Sequence, residues 1–234
     1  MPIGKRIYLK RHLPSKELVA AFAEIPASNI ADCMNRDCAM NPRIRLMSSP
    51  TKPINAGPAY TVKARSGDNL ALHAALDHCQ EGDVIVVSNE EGTERSLIGE
   101  IMFTNLMLNK KIAGIVIDGP IRDSDAASQM AMPIYATGTT PGGPYKEGPG
   151  EVNVPIACGG ISVNPGDIIV MDPDGVICIP LKDAEALLPE AQAYKEADGK
   201  KLINAQNNTS NRAWVQKTLD AKGFEIIDGI YGEE

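Results

Sequence analysis

Residues 112–118, IAGIVID, form an apolar run with no polar break before its closing aspartate. That pattern suits a strand covered on both faces rather than one with a wet side. A second run, GDVIVV at 82–87, is launched from a Gly-Asp turn. Residues 59–64, AYTVKA, alternate and predict a third strand. Helical spacing marks 15–25, with Ser15 as N-cap, then 67–79, capped by Asp68 or Asn69, and 97–110, starting near Gly99. A shorter helix is expected over 123–130 and a short strand over 133–136.

Pro42, Pro50, Pro53, Gly57 and Pro58 predict loop or short strand over 41–58. Residues 138–150, GTTPGGPYKEGPG, read as a long Gly/Pro loop: a lid, a subunit contact or a bare connection. Downstream the pattern turns to β, with VNVPIA, GISV, and a hairpin over 166–180 that turns at Pro173-Asp174-Gly175. Helices are expected over 183–205 and over 212–222, the latter carrying Trp214. Strand–helix–strand alternation flanked by antiparallel hairpins predicts an α/β domain with a mixed sheet. No low-complexity segment or clear domain linker breaks the 234 residues, so a single domain over 1–234 is expected.

Aromatic residues make up only 4% of the chain, so the core must be built from aliphatic side chains and Met. The net charge of −7 argues against nucleic acid as the main partner. The one basic cluster, Lys5, Arg6, Lys10 and Arg11, reads as a solvated or subunit-contacting arm before a binding patch. Five cysteines with no Cys-x-x-Cys pair suit reduced thiols in a cytoplasmic protein. No apolar run of signal-peptide or membrane-spanning length is present, so no membrane association is expected.

Phosphate-loop, dinucleotide-binding, nucleophile-elbow and zinc-protease motifs are all missing. His73 and His78 are five apart and do not share a helical face; surface or packing roles suit them better than metal ligation. The candidate chemistry lies after the apolar strand, which turns through Gly119-Pro120 and presents Arg122 and Asp123. In α/β sheets, ligands collect at the carboxyl ends of strands. Arg122 can grip a carboxylate with two hydrogen bonds, and Asp123 offers a hard oxygen ligand for Mg²⁺ or Mn²⁺. On spacing alone, a structural salt bridge from Arg122 to Asp123, Asp125 or Asp118 is the stronger reading. The second candidate is IGEIMF at 98–103: Gly99 permits close approach, and the N–H groups of Ile101 and Met102 suit an anion. Glu100 is either a proton carrier beside that anion or a first-turn glutamate that complements the helix dipole.

In order along the chain, GDNLALHAALD (67–77), GDVIVV (82–87), GEIM (99–102), GIVIDGPIRD (114–123), GEVNVPIACGGISVNPGD (150–167) and DPDGVICIP (172–180) resemble the RraA-like family. The resemblance covers about residues 25–182 and includes that family's 4-hydroxy-4-methyl-2-oxoglutarate and 4-carboxy-4-hydroxy-2-oxoadipate aldolases. It implies a three-layer β/β/α swivelling-domain fold over this core, a helical extension over about 183–234, and a homotrimer or a hexamer made of two trimers. It also implies a class II aldolase that uses Mg²⁺ or Mn²⁺ to release pyruvate from 4-hydroxy-2-oxo acids, with oxaloacetate decarboxylation as a side activity and a place in aromatic-compound degradation. By position, Arg122 matches the pyruvate-binding arginine and Asp123 the metal aspartate. Gly99, Ile101 and Met102 match the backbone that holds the carboxylate, and Glu100 the acid near the leaving group. The stretch between Gly99 and Arg122 is about one residue longer than the family pattern. The alternative reading is a non-enzymatic regulator, because the family's namesake inhibits an RNA-degrading endonuclease.

Overall fold

The computed structural model describes residues 3–232. Its strands are β1 (Arg45–Leu46), β2 (Asn55–Ala64), β3 (Val84–Ser88), β4 (Gly114–Asp118), β5 (Pro120–Ile121), β6 (Ile134–Ala136), β7 (Gly138–Thr139), β8 (Gly150–Val152), β9 (Ile156–Cys158), β10 (Ile161–Val163), β11 (Ile168–Asp172) and β12 (Gly175–Ile179). Its α-helices are α1 (Lys16–Phe22), α2 (Ala27–Cys33), α3 (Leu70–His78), α4 (Glu100–Thr104), α5 (Ser124–Ser128), α6 (Ala184–Gln206) and α7 (Ala213–Ala221). The chain falls into two compact units, one running through Lys195 and the second starting at Glu196.

The first unit is organised by a mixed sheet in the order β1-β6-β4-β3-β2-β11-β12, with β8 also paired to β2. β2, β3, β4 and β6 run parallel, and β1, β8, β11 and β12 are antiparallel to their neighbours. The apolar runs serve two cores at once because successive strand side chains face opposite ways. Ile85, Val87, Ile115 and Ile117 pack with Leu72 and Leu76 of α3 and Phe103 of α4. Val84, Val86 and Val116 pack on the other face with Ile156, Cys158 and Val163 of the β9–β10 hairpin. Helices, sheet and hairpin make the three layers of the β/β/α arrangement. A third core joins α1, α2 and the start of α6 to β11 and β12.

Several boundaries differ from the sequence reading. β2 starts at Asn55, not Ala59, because its Gly-Pro pair enters the sheet: Gly57 lies opposite Ile169 and Pro58 opposite Ile168. Gly57 acts here as a close-approach residue, since a Cβ would sit 2.3 Å from the Gly82 carbonyl oxygen. Helix α2 was not expected; its first N–H, that of Ala27, donates to buried Asp172 at 2.8 Å. The helix expected over 97–110 is α4 followed by a π-helical stretch, Asn105–Lys110, where the Lys111 N–H reaches back to the Leu106 carbonyl. Such wide turns hold more residues per turn than an α-helix.

In the basic arm the two arginines are docked, while Lys5 and Lys10 are exposed. Arg6 pairs with Glu151, Arg11 pairs with Asp83, and the Arg11 guanidinium lies 4.7 Å from the Tyr60 ring centroid. In the second unit, α7 has no buried residue, and Trp214, Phe224, Ile226, Ile227 and Ile230 are all exposed. Among the described residues, no helix is long and apolar enough to cross a membrane.

The packing at Gly57 predicts that Gly57→Ala destabilises the fold by about 1–3 kcal/mol, the usual cost of overpacking. Urea unfolding should show a lower midpoint with an unchanged slope.

Candidate functional site

β4 is buried throughout, and burial continues through Ile121 before ending abruptly at Arg122. Backbone bonds stitch three segments together at that edge. Leu97 N–H donates to the Pro120 carbonyl at 3.1 Å, Arg122 N–H to Ile98 at 3.0 Å, and Thr140 N–H to Ile121 at 2.9 Å. β5 and β7 pair in parallel across the same corner. The carboxyl end of β4, the start of α4 and the start of the Gly/Pro loop are therefore held as one surface.

Asp123 sits at φ 56°, in the left-handed region that Asp tolerates better than most residues. Its Oδ2 accepts the Glu100 N–H at 2.9 Å, so it satisfies one of the free donors at the start of α4. Arg122 Nε lies 3.6 Å from the same oxygen, with the two side chains 47% and 40% exposed. The salt bridge that spacing favoured is thus present, but loose and open to solvent. Asp118, another proposed partner, is engaged elsewhere: Arg43 donates to it at 2.8 and 2.9 Å and the Gly159 N–H at 2.8 Å.

Gly99 explains how Arg122 and Asp123 come so close to α4. An added Cβ there would lie 2.3 Å from Asp123 Oδ2, 2.9 Å from Arg122 Cγ and 3.0 Å from Arg122 Nε. At the helix start, Met102 N–H donates to the Gly99 carbonyl at 3.1 Å and Glu100 N–H to Asp123. Ile101, whose side chain stands 83% exposed, borders the same cleft as Met102 and Arg122.

Arg122 divides two clefts. One, of about 410 Å³, is lined by Gly99, Ile101, Met102, Arg122, Asn69, His73, Ser96 and Lys146, among others, and no carboxylate side chain lines it. The other, of about 420 Å³, is lined by Arg122, Asp123, Ser124, Asp125, Thr139, Thr140 and Pro141. The first suits an anion. The second is rich in the hard oxygen donors that Mg²⁺ and Mn²⁺ favour. Asp123 commits Oδ2 to Glu100, and among the described residues its Oδ1 has no hydrogen-bond partner, a donor set that fits an ion completing its shell with water and ligand. No group of three or more His, Cys, Asp or Glu side chains poised for a metal exists among the described residues. A larger cleft of about 630 Å³ lies near Lys111 and Ala113, before the start of β4 and away from this edge.

Sequence reasoning missed three lining residues. Asn69 was read only as a cap, yet its Nδ2 donates to the Leu97 carbonyl at 2.8 Å and its buried Oδ1 has no partner among the described residues. His73 was read as a packing residue; burial first, and then the charge of Lys146, hold its imidazole below the ordinary value. Lys146 lay unremarked in the Gly/Pro loop. Asn69 and His73 had one sequence signal, their place in the 67–77 segment of the family pattern; Lys146, between two such segments, had none.

The clash at Gly99 predicts that a crystal structure of Gly99→Ala will show the Asp123 carboxylate turned away from the Glu100 N–H, with the core unchanged.

Comparison with known proteins agrees with the resemblance. The RraA-like family, described as Aldolase/RraA, matches residues 27–178. A Halalkalibacterium halodurans protein, provisionally named a 4-hydroxy-4-methyl-2-oxoglutarate aldolase, is 36% identical over 87% of this chain and 96% of its own length. Streptomyces coelicolor RraAS2, described as an unusual member of the RNase ES inhibitor RraA protein family, superposes with a TM-score of 0.72 at 26% identity, covering 81% of this chain and 98% of its own. The RNA-processing inhibitor RraA from Thermus thermophilis gives 0.60 at 25% identity, covering 66% and 92%. This chain belongs to the RraA-like family.

Proposed function

We propose that this protein is a divalent-metal-dependent aldolase that cleaves 4-hydroxy-2-oxo acids and releases pyruvate. The observation that carries the reading is the Arg122–Asp123 pair, set against side-chain-free Gly99 between a cation-lined cleft and an oxygen-rich one. The name of the Halalkalibacterium halodurans relative supports it. The substrate class is 4-hydroxy-4-methyl-2-oxoglutarate or 4-carboxy-4-hydroxy-2-oxoadipate, with oxaloacetate decarboxylated as a side reaction.

In this reading Arg122 grips the carboxylate of the pyruvate half, helped by the Ile101 N–H; the Met102 N–H expected beside it is instead taken by the Gly99 carbonyl. Asp123 would hold the Mg²⁺ or Mn²⁺ ion. A bound divalent ion there supplies Lewis-acid stabilisation of the negative charge that carbon–carbon cleavage leaves on the pyruvate fragment. Arg122, fixed by its own N–H bond to Ile98, orients the 2-oxo acid so that the bond to C4 faces Glu100. Glu100, or a water at the ion, would accept the proton of the 4-hydroxyl as the C3–C4 bond breaks, and a proton returned to C3 completes pyruvate. The Glu100 backbone is anchored by Asp123, while its side chain is exposed at the edge and free to reach substrate. No Schiff-base lysine is required; Lys110 and Lys111 precede β4.

The exposed apolar side chains of the second unit favour a homo-oligomer; the family resemblance implies a trimer or a pair of trimers. A second functional reading, inhibition of an RNA-degrading endonuclease, rests on the descriptions of the two solved relatives. An endonuclease inhibition assay separates it from the first.

Pyruvate release from 4-hydroxy-4-methyl-2-oxoglutarate, followed with coupled lactate dehydrogenase, should require Mg²⁺ or Mn²⁺ and stop in EDTA. Equal rates in EDTA would exclude the metal mechanism. Arg122→Ala should lower kcat/KM by about 10- to 100-fold, the loss of a charge-assisted grip, with the melting temperature retained.

A further inference from the structure

Arg122 has a backbone neighbour able to compete with a substrate for it. The Gly/Pro loop brings Gly143 to the wall of the cleft beside Arg122, and an added Cβ on Gly143 would sit 3.6 Å from Arg122 Nη1. Residue 142 is also glycine, and consecutive glycines rotate at little cost. The Gly143 carbonyl precedes Pro144, which has no N–H, so that peptide unit is purely an acceptor. Arg122 carries five N–H donors, and its salt bridge to Asp123 is 3.6 Å long and open to solvent. A Gly143 carbonyl turned toward Arg122 would occupy the group that grips the substrate carboxylate.

A second arginine holds that carbonyl elsewhere. Arg95 Nη1 donates to the Gly143 carbonyl at 2.8 Å. The carbonyl before it, that of Gly142, accepts both the N–H and the hydroxyl of buried Ser96, each at 2.8 Å. Both glycine carbonyls are therefore claimed by residues 95 and 96, and Gly143 meets Arg122 with the face where a side chain would stand. Arg95 is itself fixed. Its guanidinium stacks 4.1 Å from the Tyr145 ring centroid, and its Nη2 donates to the Tyr145 hydroxyl at 2.8 Å. Gly67, at φ 71°, leaves room for it, since a Cβ there would lie 3.0 Å from Arg95 Cδ. Tyr145 N–H donates to Gly67 at 2.8 Å, and the Tyr145 carbonyl accepts from Asn69 N–H at 3.0 Å. Farther along, buried Asp68 accepts the N–H groups of Glu147 at 2.7 Å and Gly148 at 2.8 Å, so the loop is pinned on both sides of Tyr145.

Resting on the reading of Arg122 as the carboxylate grip, we infer that Arg95 is a positioning residue for it: by holding the Gly143 carbonyl, Arg95 keeps the Arg122 guanidinium free for substrate. Without Arg95, rotation about Gly143 hands the carbonyl to Arg122, and a substrate carboxylate must displace it. Arg95 touches no substrate and takes no part in bond cleavage.

The test is Arg95→Met, which keeps a long stem over Tyr145 and removes the donors. A ligand-free crystal structure of this variant should show the Gly143 carbonyl hydrogen-bonded to Arg122. Isothermal titration of the full-length variant with pyruvate in Mg²⁺ should show about tenfold weaker binding than wild type, as competition from one charge-assisted hydrogen bond implies. In turnover, KM should rise by a similar factor while kcat stays within about twofold. Mn²⁺ affinity, read by electron paramagnetic resonance without pyruvate, should stay within about twofold as well, because Asp123 is held by the Glu100 N–H and not by the loop. Arg95→Lys keeps one donor for the carbonyl and should recover most of the pyruvate affinity. Four results would overturn the assignment: Arg122 left free of the carbonyl in the Arg95→Met structure, unchanged pyruvate binding, pyruvate and Mn²⁺ lost together as a merely structural role requires, or a full tenfold loss in Arg95→Lys. The last result decides the matter even where Arg95→Met does not fold. The aldolase reading fails separately, if Arg122 captures the carbonyl in the variant but wild type releases no pyruvate from any 4-hydroxy-2-oxo acid.

Discussion

The carboxylate of Asp123 accepts the backbone N–H of Glu100 at 2.9 Å, and that bond exists only because residue 99 has no side chain. It ties the residue just beyond the β4–β5 corner to the first turn of α4. A Cβ at position 99 would strike both Asp123 and Arg122, so one glycine sets the spacing of the whole edge. The cost is a non-glycine residue held in left-handed backbone, a form of local strain that native structures keep where surrounding contacts enforce it. Here those contacts are the stitches from Leu97 to Pro120 and from Arg122 to Ile98.

Everything behind that edge serves to hold it still. The parallel strands β2, β3 and β4 alternate their aliphatic side chains between a helical layer and the β9–β10 hairpin, so neither face is free to shift. Asp118, the last residue of β4, is held by Arg43 and by the Gly159 N–H. It therefore anchors the strand end and leaves Arg122 unclaimed by it. Rigid scaffold and exposed Arg-Asp pair meet within four residues, which is the arrangement that lets a surface site keep its geometry.

The continuous apolar run at 112–118 announced a buried strand and the Gly-Asp launch at 82–87 a second one; their parallel pairing is a tertiary fact that neither run carried. The Arg122–Asp123 pair was visible as a turn following such a strand, but its role was not: spacing favoured a salt bridge, and the structure shows a loose one beside a helix start. Local rules failed where tertiary contacts decide. Gly57-Pro58 looked like a breaker and lies inside β2, since its partners are far along the chain at Ile168 and Ile169. The Gly/Pro loop, read as a lid, a subunit contact or a bare connection, is clamped by Asp68 and Arg95, side chains 79 and 48 residues away from their loop partners. Asn69 and His73, both at the start of α3, meet Lys146 of the Gly/Pro loop only in the folded cleft.

The most direct test of this account is a crystal structure of the protein with Mn²⁺ and pyruvate. The account predicts anomalous density for the ion beside the Asp123 carboxylate, with the pyruvate carboxylate against the Arg122 guanidinium. An ion or a pyruvate molecule bound elsewhere, with Arg122 and Asp123 contacting neither, would contradict it.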